Sequence, residues 1–242
     1  MERFFHWKIL LEIKESDIVV VKRDGDTAVL SHGIVYSRLM DGSLYTQSYW
    51  DYLFPLAALH KHSDVLMLGL GGGTVPYQMN CVFGKNAKID AVELDKNMVR
   101  AIDAFLPKKL DAKIIVGDAY SYMRNCRKKY DVIILDIFKK MEVPAEFLTS
   151  EFIGMVYNAL KSDGVLGMNY ISNQLIMKEH LLKSKLRKRF KVMTIKEPRA
   201  FGNHIFICSK SLNKDEILSR IAQNFKLNGE NAFIIDAYQK ME

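Results

Sequence analysis

The chain is poor in the residues that build covalent or metal frameworks. Only three cysteines occur in 242 residues (Cys81, Cys126 and Cys208), and they are scattered and form no CxxC pair. Such an odd set excludes a disulfide framework, and with no Cys/His cluster beside it no metal is expected. No apolar run approaches the ~20 residues that a membrane-crossing helix needs, so no membrane partner is expected. The opening Met1-Glu2-Arg3-Phe4-Phe5-His6-Trp7-Lys8 scatters charges among its apolar residues, which leaves no core for a secretion signal. A reducing cytoplasm is the expected home. Internal repeats and low-complexity linkers are also missing. The net charge of +7 would suit an anionic partner, but solubility alone would account for it.

What is present fits a packed globular chain. Hydrophobic residues make up 49% and charged residues 26%, which allows a sizeable core and argues against bulk disorder. The length suits one large domain with a small appendage. In the first part, Ile18-Val19-Val20-Val21 and Thr27-Ala28-Val29-Leu30 read as short strands. Asp24-Gly25-Asp26 reads as the hairpin turn between them, and Ile34-Val35-Tyr36 as a third strand. Residues 1–47 are therefore expected to form a small N-terminal antiparallel β region. Tyr49 to Leu59 reads as a helix leading into the remainder, 48–242.

From residue 64 the pattern alternates. Val65–Leu68, Ile89–Val92, Lys113–Val116, Val132–Leu135 and Val165–Asn169 are near-solid apolar strands, with helical stretches near 74–84, 95–105, 119–127 and 149–160. Such alternation predicts an α/β fold with a doubly wound, mostly parallel sheet covered on both faces, a Rossmann-like arrangement. Lys191–Ile195 and His204–Cys208 are spaced to pair as an antiparallel edge. Lys214–Phe225 reads as an amphipathic helix.

Four features fall at four successive strand ends, where open α/β sheets bind their ligands. The first is Leu68-Gly69-Leu70-Gly71-Gly72-Gly73-Thr74, a glycine turn between strand and helix. Glu93 ends the second strand, where a carboxylate can accept from both ribose hydroxyls and disfavours a 2′-phosphate. Asp118, in Val116-Gly117-Asp118-Ala119, ends the third and can accept from an adenine amino group. Asp136 ends the fourth. Each has a plainer alternative: a tight βα turn for the glycines, a helix N-cap for Asp118, a helix N-cap or surface acid near Glu93 and Asp95. Together they point to a nucleoside site. Acids at the third and fourth ends suit a cationic, phosphate-free nucleoside, such as the sulfonium of S-adenosylmethionine, better than NAD(P).

Several segments then carry a family likeness. The glycine turn, Val92-Glu93-Leu94-Asp95, Gly117-Asp118-Ala119 and Tyr130-Asp131-Val132-Ile133-Ile134-Leu135-Asp136 are joined by Val143–Phe152, Ala159–Leu166, and Gly202-Asn203-His204-Ile205-Phe206 with Ser209-Lys210. Residues from roughly 36 to 210 resemble the spermidine synthase-like (polyamine aminopropyltransferase) superfamily, a divergent branch within the class I methyltransferase fold. The resemblance implies S-adenosylmethionine or decarboxylated S-adenosylmethionine as donor, with S-adenosylhomocysteine or methylthioadenosine as product. It implies Glu93 at the ribose, Asp118 and Ala119 at the adenine, and Asp136 as the base that takes the acceptor's proton. Further donor contacts are expected from Gln47, Gly69, Gly71, Gly72, Gly73, Thr74 and Leu94, and acceptor contacts from Tyr49, Asp51, Tyr52 and Phe138. A homodimer or homotetramer is implied as well.

Thr74 stands where such synthases carry an Asp after the glycines, and Lys139 where they carry a second Asp after the catalytic one. This tips the expectation to methyl transfer onto a small amine-like or other nucleophilic acceptor, with aminopropyl transfer as the alternative. A non-catalytic nucleotide-binding protein and an RNA methyltransferase are the rivals. The basic run Lys183, Lys185, Arg187, Lys188, Arg189 and Lys191 would serve RNA, but Ile176, Leu182, Leu186 and Phe190 at near-helical spacing make it a solvated helix face, so nucleic acid is not the expected partner.

Overall fold

The computed structural model describes residues 7–139, 141–172, 176–196, 202–226 and 228–242. Residues 1–6 of the opening segment, Lys140, 173–175 and 197–201 within the 36–210 likeness, Leu227, and the side chain of Ile176 lie outside the described residues. The N-terminal part is a four-stranded antiparallel meander of β1 (Lys8–Ile13), β2 (Ile18–Arg23), β3 (Asp26–Ser31) and β4 (Ile34–Met40). Arg23 pairs with Asp26, so Asp24-Gly25 forms the two-residue hairpin loop that the sequence marks. The strand β1 was not expected. It is an edge strand with a bulge between Ile9 and Leu11, and Ile9 and Leu10 are exposed, so its apolar residues do not alternate with its polar ones.

The second sheet has seven strands. Its members are β5 (Ser63–Leu68), β6 (Ala87–Glu93), β7 (Lys113–Val116), β8 (Tyr130–Leu135), β9 (Leu160–Ile171), β10 (Lys191–Lys196) and β11 (Asn203–Ser209), in the order β10-β11-β9-β8-β5-β6-β7. The five from β5 to β9 run parallel, and β11 is antiparallel to both of its neighbours. Helices α1 (Thr74–Phe83), α2 (Lys96–Phe105), α3 (Ala119–Asn125), α4 (Ser150–Ala159) and α5 (Ile176–Arg187) connect the strands, followed by α6 (Lys214–Asn224) and α7 (Ala232–Gln239). The central strand shows why its apolar run is unbroken. Val65 and Met67 enter one core cluster while Leu66 and Leu68 enter the other, so both faces of β5 are covered. Chain order reverses beside β5, which places the crevice at the carboxyl ends of β5 and β8.

The expected helix over 49–59 is instead two 3-10 turns, Tyr49–Tyr52 and Phe54–Leu59. Pro55 is the reason. In one continuous α-helix its ring would clash with the carbonyl of Asp51, and it has no N–H to donate there. The helix α7 was also unexpected. Its Ile234 and Tyr238 are fully buried, and the Tyr238 hydroxyl donates to the Tyr52 carbonyl at 2.7 Å. The basic run is only partly a solvated helix face. Leu182 and Leu186 are buried as the spacing predicts, but α5 ends at Arg187 and Phe190 is buried beyond it. Lys183 pairs with Glu179 at 2.9 Å. Among the described residues no helix is long and apolar enough to cross a membrane.

Candidate functional site

The glycine turn follows β5 and is shaped largely by the protein itself. Gly69 has φ +83°, and a Cβ there would lie 2.3 Å from the Asp136 carbonyl oxygen. Only glycine lets the β5 end pass so close to the β8 end, where the Asp136 N–H donates to the Leu68 carbonyl at 2.9 Å. Gly72 serves the N-terminal sheet. Its N–H donates to Ser37 Oγ on β4 at 2.8 Å, and a Cβ would sit 2.7 Å from Val29 and 2.8 Å from the Ser37 side chain. The small sheet therefore docks directly on the turn.

Glu93 ties this turn to β6. One carboxylate oxygen accepts from the N–H groups of Leu70 at 2.9 Å and Gly71 at 3.1 Å, and the other accepts from Asp95 at 3.0 Å. Asp95 in turn caps α2 by accepting from the Asn97 N–H. The carboxylate is half-buried and keeps lone pairs that a ribose diol could use. The side chain of Leu94 next to it is 73% exposed and that of Val116, paired with Glu93 across the sheet, is 54% exposed. Two apolar side chains left open beside a carboxylate suit a flat base. Asp118 lies just beyond, at the start of α3. It is exposed and accepts from the Ser121 N–H at 2.8 Å, and bonds from Ser121 hold it below the ordinary carboxylate range. The N-cap alternative for Asp118 is thus realised.

Asp136 is the strongest chemical feature. Its Oδ1 accepts from Asn169 Nδ2 at 2.9 Å, and its Oδ2 faces the Tyr49 hydroxyl at 3.5 Å. Desolvation pushes its pKa up to about 6, reinforced by the nearby Glu93 charge and opposed by the bonds from Asn169 and Tyr49. A carboxylate so tuned is ionised at neutral pH yet a better proton acceptor than a surface acid. Tyr36, on β4, also belongs to this neighbourhood. Burial and the Glu93 carboxylate push its phenol up.

The structure brings Gly69, Gly71, Glu93, Asp136 and Tyr49 together, sets Asp118 and Ala119 at the start of α3 beyond β7, and holds five other candidates in structural roles. Thr74 is buried, and its hydroxyl donates to the Arg38 carbonyl on β4, so it anchors the small sheet. Asp51 is fully buried, and its two oxygens accept from Thr46 N–H, Thr46 Oγ1, Gln47 N–H and Gln78 Nε2. It organises the loop that carries Tyr49 and presents no open carboxylate. Tyr52 is buried too, its ring edge-on to Phe233. Gln47, at φ +54°, lines a cavity of about 320 Å³ with Tyr52, Phe233 and Lys196. Phe138 is half-buried and packs against the core face that holds Leu135 and Phe147. Sequence reasoning missed Tyr36, Ser37, Asn169 and Asn203 as site residues. Asn169, a polar residue ending a strand that otherwise reads as buried, was the available signal.

Comparison with known proteins places this crevice in a family. Residues 51–202 match the spermine/spermidine synthase domain. The chain belongs to the spermine/spermidine synthase family. Relatives include a probable polyamine aminopropyl transferase of Bifidobacterium longum, 27% identical over 179 residues, covering 70% of this chain and 40% of that protein. A polyamine aminopropyltransferase of Clostridium botulinum is 34% identical over 119 residues, 46% of this chain and 41% of that one. The chain spans about two fifths of the length of these curated relatives. In structure it resembles a probable spermidine synthase from Corynebacterium glutamicum, with TM-score 0.71, 19% identity, and coverage of 92% of this chain and 91% of that one. The expected class I methyltransferase-like fold with its small β sheet is therefore present. These relatives are named for aminopropyl transfer, whereas Thr74 and Lys139 suggested methyl transfer.

Proposed function

We propose that this chain is a spermidine synthase-like transferase that moves an aminopropyl group from decarboxylated S-adenosylmethionine to a small amine. Family membership over 51–202 supports the donor class, and the carboxylate of Asp136, raised by burial to about 6 at the carboxyl end of β8, is the observation that carries the chemistry. Glu93 would hold the ribose, Leu94 and Val116 would flank the base, and Asp118 with Ala119 would meet its edge. In this reading Glu93 and Asp136 would together put negative charge near the sulfonium and the amine, which would favour the cationic transition state.

The acceptor nitrogen forms a bond to the propyl carbon attached to sulfur. The carbon–sulfur bond breaks, its electron pair stays on sulfur, and methylthioadenosine leaves. The proton lost by the acceptor passes to Asp136, and the Tyr49 hydroxyl can steady the carboxylate during that transfer. Alignment of the two reactants supplies much of the remaining rate.

Incubation of the protein with putrescine and each sulfonium nucleoside, followed by mass spectrometry, tests the proposal. Methylthioadenosine and an aminopropylated amine are expected from the decarboxylated donor only. S-Adenosylhomocysteine formed from S-adenosylmethionine would overturn aminopropyl transfer in favour of methyl transfer. Absence of calorimetric binding by either nucleoside would remove the whole reading.

A further inference from the structure

Asp136 does not stand alone behind its reacting face. Asn169 lies near the end of β9 and Asn203 at the start of β11, and both are buried, at 0% and 4% exposure. Ile205 pairs with Asn169 and Asn203 with Ile171, so the two asparagines point to the same face of the sheet. Asn203 Nδ2 donates to Asn169 Oδ1 at 2.8 Å, and Asn169 Nδ2 donates to Asp136 Oδ1 at 2.9 Å. The result is a directed chain of two amides ending on the carboxylate.

Direction is what makes the chain informative. A carboxamide has a donor end and an acceptor end of nearly the same shape. If Asn169 turned over, its oxygen would face Asp136, repel the carboxylate and accept a proton from the acid, which would favour the protonated form. In the structure the Asn203 donor fills the Asn169 oxygen, which leaves the Asn169 NH2 for Asp136. Buried as it is, that oxygen would be costly to leave without a partner. This arrangement makes Asn169 a donor to Asp136.

We propose that Asn203 is a positioning residue that acts through Asn169 to keep Asp136 oriented toward Tyr49 and available as a base near neutral pH. The inference rests on the reading of Asp136 as the proton acceptor. The other groups facing Asp136 are Tyr49 from the loop before the sheet and Glu93 at the end of β6. Lys139 is exposed three residues along the same loop. Glu179 and His204, which pair at 3.0 Å, lie on the opposite face of β9 and β11, as the alternation of His204 with Asn203 requires. They leave the directed chain to Asn203 and Asn169.

The test measures Asp136 directly, without substrate. In protein labelled with 13C at aspartate side chains, the Asp136 signal is assigned by its loss in Asp136→Asn and titrated in the wild type, Asn203→Ala and Asn203→Asp. Asn203→Asp offers Asn169 an acceptor and turns its amide over, so Asp136 is expected to titrate at least about one unit higher than in the wild type. Asn203→Ala removes the lock without adding charge and is expected to give a smaller rise. The acid limb of kcat for aminopropyl transfer should move by the same amounts, with KM for the donor changed less than about threefold. Either variant, folded by circular dichroism, in which Asp136 titrates within about 0.3 unit of the wild type would overturn the proposal. If Asn203→Asp does not fold, Asn203→Ala carries the decision alone. Because the titration needs no turnover, a protein that binds no sulfonium donor would sink the function while the Asn203 relay is still decided by its own result.

Discussion

Replacing Asp136 with asparagine should separate stability from catalysis in opposite directions. The wild-type carboxyl has a folded pKa of about 6 against 3.8 for a free aspartate, chiefly because burial strips it of water. A pKa raised by folding means that the folded state binds the proton more tightly than the unfolded one. The stability this contributes is present below pH 3.8 and is lost as pH rises through 6. At pH 8 the ionised side chain costs the fold about 3 kcal/mol, and at pH 4.5 about 1 kcal/mol, from 1.36 kcal/mol per unit. Asparagine copies the shape of the protonated acid and can still accept from Asn169, so Asp136→Asn escapes that cost. Relative to the wild type it should gain about 2 kcal/mol more at pH 8 than at pH 4.5, whatever constant offset the substitution itself introduces. Urea unfolding at the two pH values measures this difference. Turnover should fall by about 10²- to 10⁴-fold, the usual worth of a general base. A difference between variant and wild type that is the same at both pH values, or that shrinks on going to pH 8, would refute the claim that burial holds this carboxyl up.

Glu93→Gln should weaken donor binding by about 10- to 100-fold by calorimetry, since it removes a charged acceptor. It should also lower the Asp136 titration, because the Glu93 charge helps to raise it, and the acid limb of the rate profile should move to lower pH. Gly72→Ala pushes a methyl group into Val29 and Ser37 and should cost about 1–3 kcal/mol of stability, read as a lowered Tm. Ser37→Ala, which removes only the hydrogen bond to the Gly72 N–H, should cost about 1 kcal/mol. Asp51→Asn turns an NH2 group toward buried donors and should destabilise the protein by about 1–3 kcal/mol, with a loss of near-ultraviolet signal from the Tyr49–Trp50 pair. An Asp51→Asn protein of unchanged Tm would show that the loop does not depend on that carboxylate.

The sheet was legible wherever apolar runs were long and continuous. Val65–Leu68 and Val132–Leu135 lie in the middle of the seven-stranded sheet, as solid apolar runs between helical stretches predict. The misreadings came where a local pattern was weak or a single residue overrode it. Strand β1 has no clean alternation because it is an exposed edge, and Pro55 breaks a segment that is otherwise helix-like. Asp51 and Thr74 illustrate a different limit. Both are polar residues close in sequence to the site, and nothing local distinguishes a carboxylate that points into a crevice from one consumed by Thr46, Gln47 and Gln78.

By itself, the sequence determined the α/β architecture, the four strand ends and the positions of Glu93, Asp118 and Asp136 at three of them. These depend on short-range periodicity and on the rule that parallel strands present their carboxyl ends to a ligand. The tertiary structure alone decided which way side chains point and what each one touches. It turned Thr74 toward β4, enclosed Asp51, docked Ser37 on Gly72, and joined Asn203 to Asn169 to Asp136 across three strands. Apart from those of Asp51, these pairings link residues more than thirty positions apart in the chain, and no periodicity reports them, because they are set by how strands are ordered in the sheet and how closely two layers pack.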